Sequence, residues 1–308
     1  MQTITLGRTG IKATIAGLGC GGFSRLGLEK YGIDNAVNIV RRAYDGGVNF
    51  FDTATVYGTQ KAVGLGLEGI KRDSYFLSTK FPYGGKTGDD LVKTLEESLR
   101  ELKTDYVDIY HLHGVKPDDY TWARDTFVPV MEKAREQGKI RFLGITEIFG
   151  EDTTHKMLEQ SLGEDIFDVI MVGYNLLNPS AAKGILPLGI EKNVGILCMF
   201  AVRSALSNPE QLKRDLAKIL EKGQGEASLI KQENPLDFLC QEGAAKSIME
   251  AAYRYCRHSP GIHVVLTGTG SADHLKENLA SIQGEKLPQE VLERLERMFG
   301  NVDCVSGQ

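Results

Sequence analysis

The sequence predicts an α/β fold: a closed (β/α)8 TIM barrel with an N-terminal β-hairpin plug and a long loop after strand 7. Three observations carry that expectation. Eight short apolar runs recur along the 308 residues, each followed by a longer segment with helical spacing. The runs are apolar throughout instead of alternating, as strands covered on both faces are. A chain of 308 residues is also an ordinary length for one α/β barrel, so residues 1–308 are read as a single barrel domain.

The first fourteen residues read "TITL", "GRTG" and "IKATI", two short alternating strands around a glycine-bearing turn, and this hairpin is expected to close the bottom of the barrel. The eight strands are then "IAGLGC", "VNFFD", "YFLSTK", "VDIYHLH", "IRFLGIT", "FDVIMVG", "VGILCMF" and "IHVVLTG". Helices follow in "NAVNIVRRAYDGG" with its glycine stop, in "DDLVKTLEESLREL" with acidic residues first, and in "VPVMEKAREQGK" with Gly138 at its end. An open doubly wound sheet is the competing architecture. It usually announces a dinucleotide with G-x-G-x-x-G after the first strand, whereas "GLGCGGFS" offers Gly17, Gly19, Gly21 and Gly22 in another spacing and runs into a polar loop. One connection breaks the rhythm. About forty residues at 201–243, containing "PEQLKRDLAKILEKG", separate the seventh strand from the next helix and read as a cover for a site at the C-terminal face.

Composition narrows the functional classes. A net charge of −5, with 25% charged residues of mixed sign, gives no basic stripe for nucleic acid, and no run of 18 apolar residues suggests a membrane span. The N-terminal residues lack a basic segment followed by an apolar one, so a cytoplasmic location is expected. Cys20, Cys198, Cys240, Cys256 and Cys304 are odd in number and without a CxxC pair, which argues against a disulfide framework and a zinc site. No metal is expected.

The chemistry concentrates at the strand ends. Asp52 ends the second barrel strand, Tyr57 lies in the loop after it, Lys80 ends the third and His113 ends the fourth. Neighbouring strands lie about 4.8 Å apart, so these four side chains converge on one rim. A free tyrosine has a pKa near 10, and an ammonium beside it favours the phenolate. Lys80 is read as that ammonium, Asp52 as the carboxylate that keeps it charged, and His113 as a hydrogen-bonding partner for a substrate oxygen. The expected result is a phenol tuned downward for proton exchange. His111 shares the parity of His113 and faces the same interior one layer deeper, either as filler with a satisfied ring or as a relay.

In these residues the chain resembles the aldo-keto reductases. The motifs run in order along nearly the whole sequence: "LGRTGIK", "GLGCGGF", "GVNFFDTATVYG", "STK", "DYVDIYHLH", "GKIRFLGIT", "YNLLN" and "LTGTGSADHLKENLASI". The resemblance implies a nicotinamide cofactor extended across the C-terminal rim and a catalytic tetrad at Asp52, Tyr57, Lys80 and His113. It implies cofactor contacts at Gly21, Gly22, Asp52, Thr146, Met199, Phe200, Arg203, Gly268, Thr269, Gly270, Ser271, His274 and Asn278. Several positions depart from the family pattern. Thr146, Glu147 and Met171 stand where Ser, Asn and Gln usually hold the carboxamide, and "MFAVR" replaces the usual aromatic motif of the seventh strand, leaving Met199 or Phe200 to cover the ring. Arg203 is read against the pyrophosphate. His274 and Gly268 occupy positions where relatives that bind NADP carry Arg and Lys, so NAD is favoured over NADP, with the "GTGS" helix start as a remaining phosphate seat. The branch that looks most similar contains plant-type L-galactose dehydrogenases and bacterial aldose dehydrogenases.

The expectation is therefore an NAD(P)-dependent oxidoreductase acting on an aldehyde, ketone or sugar hemiacetal, with aldose oxidation foremost. Two alternatives stay open: an NADPH-dependent carbonyl reductase, and a non-catalytic nucleotide-sensing subunit. A metal-dependent barrel hydrolase or aldolase lacks paired ligands at the strand tips and has only Lys80, as a Schiff-base lysine, in its favour.

Overall fold

The computed structural model describes residues 1–241 and 243–308. Thr3–Thr5 (β1) and Lys12–Thr14 (β2) pair antiparallel, with Thr3 opposite Thr14. Leu6, Ile11 and Ala13 from this hairpin pack against Phe50, Ile109, Val169, Leu197 and Val264, which fill the lower barrel interior. The hairpin is thus a plug, held there by apolar burial.

Eight parallel strands follow: Ala16–Gly19 (β3), Phe50–Asp52 (β4), Phe76–Phe81 (β5), Val107–Val115 (β6), Ile140–Glu147 (β7), Val169–Gly173 (β8), Gly195–Met199 (β9) and Val264–Thr267 (β10). They neighbour one another in chain order, and β10 pairs with β3 through Val265 opposite Ala16, so the sheet closes. All eight predicted strands and the predicted hairpin are present.

Strand parity decides what each side chain meets. Phe51 of β4 and Leu77 of β5 join the large apolar layer between barrel and helices, whereas Phe50 and Phe76 face the interior above the plug. Moving up the inward parity, β4 goes from Phe50 to Asp52, β5 from Phe76 through Ser78 to Lys80, and β6 from Ile109 through His111 to His113. The barrel is apolar at its floor and polar at its C-terminal rim.

The helices agree with their sequence signals, with displaced ends. The first runs Leu28–Asp45, earlier than expected, and is interrupted at Gly32, whose φ of 80° no ordinary helical residue adopts. Gly88–Leu102 opens with a capping box between Thr87 and Asp90. Tyr120–Glu136 extends a turn or more upstream of the predicted start, carrying Pro129 within it.

The long connection after β9 corrects an expectation. Glu242 lies outside the described residues. Only the start of the segment, Val202, Arg203, Ser204 and Ser207, lines the rim cavity. Leu216, Ile219, Ile230 and Phe238 instead build a satellite core with Val291, Leu295, Met298 and Phe299 of the C-terminal helix Gln289–Phe299. A 13-residue helix, Pro209–Glu221, needs a partner for its apolar stripe, and the C-terminal helix supplies it.

Candidate active site

A cavity of about 1230 Å³ opens at the C-terminal rim, lined among others by Gly21, Gly22, Asp52, Tyr57, Lys80, His113, Thr146, Met199, Phe200, Arg203 and Gly268. The four residues expected to act together do meet there. The Lys80 Nζ lies 2.6 Å from Asp52 Oδ2 and donates a second hydrogen bond to the Thr53 carbonyl at 2.7 Å. Lys80 is 1% exposed and Asp52 3%, so this is a fully buried ion pair. Two ammonium protons are thereby used, and the ammonium sits 5.0 Å from the centroid of the Tyr57 ring. The Tyr57 hydroxyl lies 3.2 Å from His113 Nε2, the two rings standing edge to face.

Burial works against every charge in this corner, and the neighbours decide the balance. It pulls the Lys80 ammonium down, but the Asp52 carboxylate and the Tyr57 oxygen outweigh it, and Lys80 ends above its ordinary value. Burial raises the Asp52 carboxyl, with Lys80 and the Ser78 hydroxyl limiting the rise. His113 is pushed down to about 3 by burial and then by Lys80, so its imidazole is neutral. For Tyr57 the expectation was a lowered pKa, and the structure reverses it. Desolvation raises the phenol, Asp52 adds to the rise, and the Lys80 and Arg203 cations do not overcome them. Tyr57 is therefore a protonated phenol at neutral pH.

Sequence reasoning missed Ser78, whose hydroxyl donates to Asp52 Oδ1 at 2.7 Å. The signal was present, since Ser78 stands two residues before Lys80 on the same strand face.

The other half of the rim departs further from expectation. Thr146 Oγ1 already accepts from the Gly114 N–H at 2.7 Å. Glu147 follows Thr146 by one residue, on the opposite parity, and its side chain is fully buried. Its carboxylate pairs with His155 Nδ1 at 2.9 Å and accepts from the Gly173 N–H at 2.7 Å. Met171 sits in the barrel interior. Met199 and Phe200 both line the cavity, and Phe200 takes a φ of 67°, a strained value for a bulky side chain. Its ring lies under the Arg203 guanidinium, 3.7 Å from ring centroid to cation, and edge-on to Phe149.

Arg203 has no carboxylate partner among the described residues, although burial lowers its pKa. The other charged side chains on the cavity wall are paired: Arg25 with Glu29, Asp52 with Lys80, Glu147 with His155 and Glu151 with Lys116. A desolvated, unpaired guanidinium is costly until an anion joins it. Beside it, a Cβ at Gly22 would come within 3.3 Å of Arg203 Nη1, and one at Gly21 would meet the Tyr57 ring at 2.5 Å. These two glycines leave room that any side chain would fill.

Thr269, Gly270, Ser271, His274 and Asn278 do not line this cavity. Ser271 caps the helix Ala272–Ile282 through the His274 N–H, Gly270 backs onto Gly27, and Asn278 donates to Thr267 Oγ1 at 2.9 Å. The last of these contacts joins the helix to the end of β10, whose Thr267 does line the cavity.

Comparison with known proteins agrees with this architecture. Residues 17–299 match the Aldo/keto reductase family, and the chain belongs to it. It is an enzyme of that oxidoreductase family. The chain is 27% identical over 310 residues to L-galactose dehydrogenase of Arabidopsis thaliana, covering 96% of this chain and 93% of that one. It is 28% identical over 215 residues to D-threo-aldose 1-dehydrogenase of a Pseudomonas species, covering 59% and 64% respectively. Among solved structures, an aldo-keto reductase of Bacillus halodurans in its holo form superposes with a TM-score of 0.73 at 24% identity, covering 99% of this chain and 98% of that one.

Proposed function

We propose that the protein transfers hydride between a nicotinamide nucleotide and the carbon of an aldehyde, ketone or sugar hemiacetal, with aldose oxidation at the anomeric carbon as the leading reaction. The observation that carries this reading is the convergence of Tyr57, Lys80, Asp52 and His113 within one cavity. A nucleotide bound along the rim supplies the hydride donor or acceptor. The unpaired Arg203 and the open space at Gly21 and Gly22 suit its pyrophosphate. Thr146 and Phe200 are the proposed neighbours of its nicotinamide, while Glu147 is spent on His155.

Tyr57 then exchanges the proton. In reduction its phenol protonates the carbonyl oxygen; in oxidation its oxygen takes the proton of the anomeric hydroxyl. Lys80, held charged by Asp52, stabilises the phenolate that forms in one direction and is needed in the other. Neutral His113 orients the substrate oxygen by a hydrogen bond from its ring.

Likeness to L-galactose dehydrogenase along nearly the full chain favours aldose oxidation. The protonated state of Tyr57 favours the second reading, carbonyl reduction with NADPH, because reduction uses the phenol as it stands. For the cofactor we propose acceptance of NAD. No Arg or Lys stands at His274 or Gly268.

The deciding experiment supplies purified protein with NAD or NADP and a panel of aldoses including L-galactose, and in parallel with NADH or NADPH and a panel of aldehydes and ketones. Aldose-dependent NADH formation is the expected result. Turnover of no panel member would overturn the oxidoreductase reading, and a preference for NADP of about a hundredfold or more would overturn the proposed acceptance of NAD.

A further inference from the structure

Beneath the tetrad lies a buried chain of polar contacts that the proposed reaction does not use. His111 Nε2 is 3.0 Å from Ser78 Oγ, and Ser78 Oγ is 2.7 Å from Asp52 Oδ1. Ser78 and His111 are fully buried, and Asp52 is 3% exposed. Asp52 is ionised by its pairing with Lys80, so it can only accept, and Ser78 must give it its single proton. His111 Nε2 must then carry a hydrogen and donate to Ser78. Its other nitrogen, Nδ1, has no side-chain hydrogen-bond partner, and the Ile145 backbone is the polar group beside the ring. Nδ1 faces Gly144, where a Cβ would approach to 2.2 Å.

These facts do not suit a filler. Leucine would fill the layer without a ring nitrogen to satisfy. What the imidazole adds is one directed N–H. That N–H fixes the Ser78 rotor, Ser78 fixes the face of the Asp52 carboxylate, and Asp52 aims the Lys80 ammonium beside Tyr57. We propose that His111 and Ser78 are positioning residues that lock Asp52 onto Lys80 and thereby set the acidity of Tyr57.

This inference rests on the proposed role of Tyr57 but can be tested without turnover. The charged and titratable groups around Tyr57 are Lys80, Asp52, His113 and Arg203, and those around His111 are Lys80 and His113. None is altered by changing Ser78 or His111. Lys80 has Asp52 as its one carboxylate among the described residues, so a carboxylate free to turn away lets the buried ammonium lose its proton more readily.

The test is an alkaline titration of the Tyr57 phenol, followed by tyrosinate absorbance and isolated by subtracting the same protein carrying Tyr57→Phe. Wild type is compared with Ser78→Ala, His111→Leu and His111→Gln, whose amide restores an N–H near the place of Nε2. Ser78→Ala and His111→Leu are expected to raise the Tyr57 pKa by about one unit or more, and His111→Gln to recover most of that shift. NADH titration by fluorescence confirms that each variant keeps its fold, and Ser78→Ala, which removes one hydroxyl, carries the test should His111→Leu unfold. An unmoved or lowered Tyr57 in Ser78→Ala would overturn the proposal, as would His111→Gln behaving like His111→Leu. Failure of every carbonyl panel would overturn the oxidoreductase reading and leave this titration intact.

Discussion

Two buried acid–base pairs in this barrel are alike in make-up and opposite in setting. Asp52 and Lys80 stand on the inward parity of β4 and β5 and open onto the rim cavity beside Tyr57. Glu147 stands at the tip of β7, one residue past an inward Thr146, and its carboxylate turns to His155 at the start of the helix Lys156–Glu164. Burial raises the carboxyl in both, and a cationic or hydrogen-bonding partner opposes it in both. What separates a charge beside the cavity's tyrosine from one spent on a neighbouring helix is a single step along a strand, because each step reverses the face.

Breaking each pair gives the sharpest contrast. Lys80→Met leaves the Asp52 carboxylate buried and unpaired, so urea unfolding should show a loss of about 3–5 kcal/mol, together with loss of turnover. His155→Leu strands Glu147 with only the Gly173 N–H as a polar partner, so its stability loss should be comparable while turnover per folded molecule stays near wild type. Loss of turnover in His155→Leu at unchanged stability would break the comparison.

Smaller in effect is Gly144→Ala, on the inward parity between these pairs. The new methyl would meet His111 Nδ1 at 2.2 Å, and such overpacking should cost about 1–3 kcal/mol in the same unfolding measurement. A neutral or stabilising result would mean that His111 is free to move.

The last effect is a slope. His113 falls from its ordinary 6.5 to about 3 in the folded state, so the unfolded chain binds that proton first as the pH drops. Its contribution to stability is present above about pH 6.5 and is lost progressively toward pH 3, by at most about 1.4 kcal/mol per pH unit. His113→Gln should flatten the acid limb of stability against pH. An unchanged limb would place the histidine in water.

Much of the fold was legible because a parallel barrel writes itself as apolar runs in alternation with helices, and all eight runs form strands. The convergence of Asp52, Lys80 and His113 was legible for the same reason, since all three share the inward parity toward the C-terminal ends of neighbouring strands. The acidity of Tyr57 was not. Its direction depends on how far burial exceeds the pull of Lys80, which no spacing encodes. The use of Glu147 was not legible, because its partner His155 lies in a loop beyond the strand, where nothing in the local pattern links the two. The long segment after β9 was read as a cover because the C-terminal helix that takes up its apolar side is some seventy residues away in the chain.

The central claim is that the Tyr57 hydroxyl, set among Lys80, Asp52 and His113, carries the proton of a hydride transfer. The most direct test measures steady-state turnover and nucleotide affinity of Tyr57→Phe beside wild type, on the best substrate of the aldose and carbonyl panels. The account predicts a loss of about 10² to 10⁴-fold or more in kcat with nucleotide binding unchanged. Turnover at the wild-type rate in Tyr57→Phe would contradict it.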